Sequence, residues 1–287
     1  MQLPFEYSAV EHLSRSLLIW NIDRHLMVML AGYFDASGGV DQHATVVSGY
    51  VSTVERWVGF DMDWRLLLAK EHVPYFHMKE FAHSVGVFKD WKGNETRRAR
   101  FLSQLAEIIR AHAMLSVSTI VLHKAFRDAD RLHDLSGYAG TPYSFCARGC
   151  AEKIREWTEK SGYGASPIDY IFEDGDEGKG ELLRIFGRDG LPLPIFKPKL
   201  PRPGHELGVF TPLQAADFVA WEHQKATKQM EQGELKHLRK SLQALRPIEK
   251  RWGIFTPVDL LKFCRDNSIP LRAAGTSKRM AKRTKSR

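Results

Sequence analysis

MVMLAGYFDASGG, Met27 to Gly39, is the stretch on which the reading of this chain turns. Its first eight residues, Met27–Phe34, are apolar, and Asp35-Ala36-Ser37-Gly38-Gly39 follow. A continuous apolar run of that length, stopped by small and turn-forming residues, predicts a buried strand that runs into a turn. Nine residues further on, ATVVSGYV (Ala44–Val51) predicts its antiparallel partner. Outward from this pair, Thr53–Lys70 interleaves Val54, Trp57, Val58, Phe60 and Met62 with charges at helical spacing. Asn94–Ala113 predicts a second helix, and Leu115–Leu122 (LSVSTIVL) a third strand. Thr141-Pro142 opens a helix to about Lys160, because proline is tolerated where the first helical N–H has no partner. Ile168–Phe172 is a short apolar strand ending at Glu173-Asp174-Gly175-Asp176. Thr211-Pro212-Leu213-Gln214 reads as a Thr N-cap, a first-turn Pro and a Gln three residues after the cap, starting a helix from Pro212 to about Glu231. Thr256-Pro257 repeats that start for a last helix to about Asp266. Strands that come early and in pairs, then alternate with helices, predict an α/β fold with a mixed sheet flanked by helices.

The composition of the 287 residues, 43% hydrophobic and 26% charged, excludes disorder over most of the length and excludes collagen-like or low-complexity architectures. A chain of this size needs no disulfide staple, and Cys146, Cys150 and Cys264 are too few and too odd in number to form a framework. Cys146 and Cys150 share a helix face and read as buried packing, with half a zinc site as the alternative. The apolar stretches fall short of the ~20 residues of a spanning helix. The N-terminus also lacks the basic-apolar-small order of a signal peptide, so a cytoplasmic protein with no membrane partner is expected. Residues 1–26 fit the scheme poorly: they read as a short N-terminal extension, or Met27 or Met29 is the true start. The net charge is +8, but residues 273–287 carry six cations and no acid, which leaves +2 for the rest. That tail has almost no apolar surface to bury and is expected to be disordered. It is either a solubilising tail or a nonspecific attractor of phosphate backbones.

Several residues can carry chemistry. Asp35, after an apolar strand and before small residues, is either a turn-former or an acid presented to a metal. Glu173 and Asp174, with Asp176 and Glu177 nearby, are either a solvated acidic turn or a set whose repulsion a divalent cation relieves. Asp217 lies in an otherwise almost wholly apolar helix (Leu213–Trp221), where an acid must be paired, hydrogen-bonded or metal-bound. Gln214, Asp217 and Trp221 share one face of that helix. In Pro74–Phe81, His77 is a candidate acid/base or phosphate-orienting group, Lys79 stands beside it and Glu80 is a further candidate ligand. The bland reading of that segment is a surface histidine with a local ion pair. Acids on a first strand, a later strand and a late helix can converge on one or two Mg²⁺ or Mn²⁺ ions, a donor set suited to phosphoryl chemistry. No nucleophile elbow and no Walker-type loop is present.

At these same residues the chain resembles the bacterial and phage family called domain of unknown function 3800. Tyr33-Phe34-Asp35-Ala36-Ser37-Gly38 resembles its opening strand and Asp-Glu-Ser-Gly, and Phe76-His77-Met78-Lys79-Glu80-Phe81 its His-containing segment. Ile171–Asp176 is similar to its acidic strand end, and Leu213-Gln214-Ala215-Ala216-Asp217, followed by Ala220-Trp221, to its Leu-Gln-x-Ala-Asp helix. The resemblance spans roughly Met27 to Leu261. It implies a ribonuclease H-like domain with helical insertions over residues 27–272. It also implies metal-holding roles for Asp35, Glu173 and Asp217, with Glu80 or Asp174 as a fourth acid. Ala36 stands where the family carries Glu; neighbours in a strand point to opposite faces, so Asp35 can act without it.

The expectation is a divalent-metal-dependent phosphodiester hydrolase, a nuclease above all, using Mg²⁺ or Mn²⁺. Asp35, Glu173 and Asp217 would hold the metal, His77 or Lys79 would assist at the phosphate, and DNA or RNA would be the partner. The alternatives are a non-catalytic nucleic-acid or partner-binding module on the same fold, which Ala36 and the modest charge of the body favour, and a hydrolase of small nucleotide-derived substrates.

Overall fold

The computed structural model describes residues 9–19, 29–38, 42–164, 166–175, 178–201 and 208–272. Asp176, Glu177, most of the N-terminal extension and the whole basic tail 273–287 lie outside them. The strands are β1 Leu30–Ser37, β2 Ala44–Thr53, β3 Leu115–Leu122, β4 Ile168–Glu173, β5 Ile195–Lys197 and β6 Glu249–Phe255. The first helices are α1 Ala9–Ile19, α2 Val54–Lys70, α3 Met78–His83, α4 Glu95–His112, α5 His123–Leu132 and α6 Leu135–Ala139. They are followed by α7 Pro142–Lys160, α8 Lys179–Arg188, α9 Thr211–Glu231, α10 Lys240–Ala244 and α11 Pro257–Asp266.

The six strands form one mixed sheet in the order β5-β4-β1-β2-β3-β6. β1, β2 and β3 run antiparallel in succession, while β4 joins β1, β5 joins β4 and β6 joins β3 in parallel. The α/β class with a mixed sheet flanked by helices is therefore what the chain adopts. Side chains alternate along β1. Ala31 and Tyr33 enter the core made with α2, α4 and α9, whereas Leu30 and Phe34 enter the core made with α7, α8 and α11. At Gly49 β2 lies tight against β1, and any Cβ there would run into the Tyr33 carbonyl. The first core is crowded with aromatic rings: Phe76, Phe81, Phe88, Trp91 and Phe101 meet edge-on or tilted, with centroids 5.1–6.3 Å apart. This packing fixes the segment that enters α3. Val10 of α1 is buried in the same core, and α1 packs on α2.

Two local expectations change. β1 starts at Leu30 and continues through Ser37, because Asp35, Ala36 and Ser37 pair with Ser48, Val47 and Val46. Asp35 is thus inside the strand and not in a turn. Thr211 is not the N-cap of α9. It is the first helical residue, and its hydroxyl donates to the buried carboxylate of Asp61 on α2, so a tertiary partner outcompetes the local cap. Gln214 is likewise drawn into the interior. The Thr256 expectation agrees: its hydroxyl accepts from the Asp259 N–H while the Asp259 carboxylate accepts from the Thr256 N–H. Cys146 and Cys150 are free, buried on α7 and directed at the β2 carbonyls of Thr45 and Val47. Burial pushes the Cys150 thiol up to about 11. No helix among the described residues is long and apolar enough to cross a membrane.

Candidate active site

Parallel pairing brings strand C-termini to one edge of a sheet, where side chains from neighbouring strands can meet a common ligand. Here β1, β4 and β5 are aligned with Phe34 beside Phe172 and Glu173 beside Lys197. Asp35 and Glu173 are therefore the next residues along their strands, on the same face as Tyr33 and Ile171. That face is covered by α9, which carries Asp217.

Asp35 and Asp217 are both buried, at 2% and 7% exposure, and a single ammonium joins them. Lys199 Nζ lies 2.6 Å from Asp35 Oδ2 and 3.2 Å from Asp217 Oδ1. Asp35 Oδ1 accepts the Ala36 N–H at 3.0 Å, and Asp217 Oδ2 accepts the Met78 N–H at 2.6 Å. Burial acts to lower the lysine's pKa, but the charges of Asp35 and Asp217, with a smaller contribution from Glu173, overcome it and hold Lys199 well above the usual lysine range. Lys199 thus faces two buried carboxylates in a place where uncompensated charge is expensive.

Gln214 frames this centre. Its Oε1 accepts from Trp64 Nε1 and from the Phe76 N–H, both at 2.9 Å, and its Nε2 donates to the Lys199 carbonyl at 2.9 Å. One buried amide therefore ties α2, the strand-like entry to α3 and the Lys199 loop to α9. The segment 76–78 serves the site through its backbone: Phe76 N–H holds Gln214 and Met78 N–H holds Asp217.

The remaining candidates sit as follows. Glu173 is half-buried, and its carboxylate folds back to accept the Gly175 N–H. Asp174 is ion-paired with Lys179 of α8. Glu80 accepts from the Tyr75 hydroxyl and, at 3.4 Å, from the Val87 N–H, and lies 3.2 Å from His77 Nδ1. Gly86, at φ +57°, permits this, since a Cβ there would strike the Glu80 carboxylate. His77 and Glu80 thus pair with each other, and Lys79 is exposed. Ala36 is directed toward the α7 side, away from Asp35. Among the described residues, no group of three or more His, Cys, Asp and Glu closes around one point. Asp35 and Asp217 converge, while Glu173 contributes its charge from the strand edge.

Lys199 was not singled out in the sequence. The only local signal is Lys197-Pro198-Lys199 after an apolar run, and the meaning of that lysine depends on β5 adding to β4. Asp61 carries no local signal either, because its buried partner Thr211 lies 150 positions away.

No protein-family model matches the chain, and no curated protein matches it.

Proposed function

We propose that the Asp35–Asp217 pair is the cation-holding centre of a divalent-metal-dependent phosphodiester hydrolase, a nuclease on a ribonuclease H-like fold. The observation that carries this reading is the buried carboxylate pair with an ammonium standing between its members. The donor set is hard oxygen at a strand end and on a late helix, which fits Mg²⁺ or Mn²⁺. A bound ion of this kind would supply activation of water and charge stabilisation at the phosphate. The chain's own groups do the positioning. The Met78 N–H fixes the Asp217 carboxylate, and Gln214 keeps the Lys199 loop against α9. Lys199, once it leaves the acids, is placed to bind a phosphodiester oxygen, and Glu173 can release the Gly175 N–H and turn toward Asp35. His77 and Lys79 flank the same helix start, with Lys79 exposed to a phosphate. The domain of unknown function 3800 motifs, in order along the chain, support the same assignment.

End-labelled DNA and RNA oligonucleotides incubated with Mn²⁺ test this. The wild type cuts one of them, and Asp217→Asn slows cutting by about 100-fold or more, the size expected for losing several kcal/mol of charge stabilisation. Equal cutting by both proteins, or no cutting of any substrate, contradicts the reading.

A second reading is favoured by one observation: Lys199 already bridges both acids, as in a fold that keeps its core but not turnover. A non-catalytic module would then bind nucleic acid without cutting it.

A further inference from the structure

Two grooves meet at Trp221, one turn of α9 beyond Asp217. One, of ≈ 400 Å³, is lined by Ser37, Lys79, Trp221, Lys225 and Lys228 among others. The other, of ≈ 760 Å³, is lined by Met78, Arg98, Trp221, Lys225, Arg239 and Lys240 among others. Each has a wall residue close to the acid centre: Ser37 is two residues along β1 from Asp35, and Met78 donates its N–H to Asp217. The shared wall is Trp221, half-buried, with Lys225 Nζ 5.1 Å and the Arg239 guanidinium 4.8 Å from its ring centroid. Arg239 is held there through Nε, 3.1 Å from the carboxylate of the buried Glu222, which also accepts from Ser241 at 2.7 Å. Lys79, Lys225, Lys228 and Lys240 make no ion pair among the described residues, and Glu95 and Glu231 are the acids on the walls. The grooves are therefore strongly cationic around one aromatic ring, although the chain outside the tail carries a charge of only +2.

We propose that this double groove binds a single strand of nucleic acid, with a base stacked on the Trp221–Arg239 pair and the flanking phosphates on Lys225, Lys228 and Lys79. Phosphate contacts need cations but no ring, whereas an unpaired base needs a flat π or guanidinium surface. A duplex keeps its base faces inside the stack and cannot present them to a half-buried tryptophan. The proposal deepens the hydrolase reading by naming the strand class, but it concerns binding and is tested without cleavage.

The test is fluorescence anisotropy of a labelled oligo-dT of about 12 nucleotides, a length within the span of such grooves, with the full chain in EDTA. A blunt duplex of the same length is the comparison. The single strand is expected to bind more tightly than the duplex, and Trp221→Ala to weaken it by about 5- to 100-fold, the range for losing one stacked base. Trp221→Phe keeps most of the affinity and shows that the groove is still folded. Lys228→Glu, an exposed change, lowers the salt dependence by about 0.7 in the log–log slope, one phosphate's worth for a single strand. Equal affinity for duplex and single strand, or wild-type affinity in Trp221→Ala, overturns the proposal and leaves binding to the tail and other cations. If the strand binds as described but Mn²⁺ never yields cutting, the hydrolase reading fails and this site stands.

Discussion

Replacing Lys199 with Met removes the ammonium that bridges the buried carboxylates of Asp35 and Asp217. Breaking such a cluster by deleting one partner costs about 3–5 kcal/mol, so chemical denaturation of Lys199→Met should show a loss of that size near neutral pH. The loss shrinks in millimolar Mn²⁺ if the pair is a cation site, since a ligand that binds only the folded state stabilises it. A variant whose stability is unchanged, or is indifferent to Mn²⁺, speaks against the role given to this lysine. Asp217 was legible in the sequence because an acid in an apolar helix demands a partner. Lys199 was not, because a lysine after a proline reads as an ordinary loop residue until β5 adds to the sheet.

At the scale of elements, α9 is held to the sheet by a polar contact as well as by its apolar face. The Ser48 hydroxyl donates to Ser118 at 2.8 Å, and Ser118 Oγ lies 2.8 Å from His223 Nδ1, linking β2 and β3 to α9. Burial, with a smaller effect from Lys250, lowers the His223 pKa from 6.5 to about 4, so the ring is neutral in the fold. An unfolded chain with an ordinary histidine binds the proton first. The stability this ring contributes is therefore full above pH 6.5 and is lost as the pH falls from 6.5 to about 4. The slope is at most about 1.4 kcal/mol per pH unit, and His223→Gln should flatten the urea-midpoint profile across that window. A second element-level change is milder: Thr256→Ala removes one arm of the α11 capping box and should cost about 1 kcal/mol. β3 and α7 were readable to the residue, or nearly so, because period-2 and capped 3.6-residue patterns ran uninterrupted. β6 was not, because Glu249–Phe255 is a partly exposed edge strand in which Glu249, Lys250, Arg251 and Gly253 leave no apolar run. The Thr211 cap misled for a different reason: the local signal was present, but Asp61, 150 residues away in sequence, captured the hydroxyl.

Over the whole molecule, opposite charges are segregated. Asp35 and Asp217 converge where the C-terminal end of β1 meets α9, a cationic groove with one aromatic wall lies further along α9, and most of the net charge lies in residues 273–287. The layered α/β order could be read from the succession of strands and helices, but the groove could not, since it joins α3, α4, α9 and α10 across more than 140 positions. The central claim is that the negative end of this arrangement holds a divalent cation. Calorimetric titration of Mn²⁺ into the wild type, Asp217→Asn and Lys199→Met tests it most directly. The account predicts one binding event in the wild type, lost in Asp217→Asn and tighter in Lys199→Met, where the competing ammonium is gone. Binding heat that is absent from all three proteins, or that survives unchanged in Asp217→Asn, would contradict it.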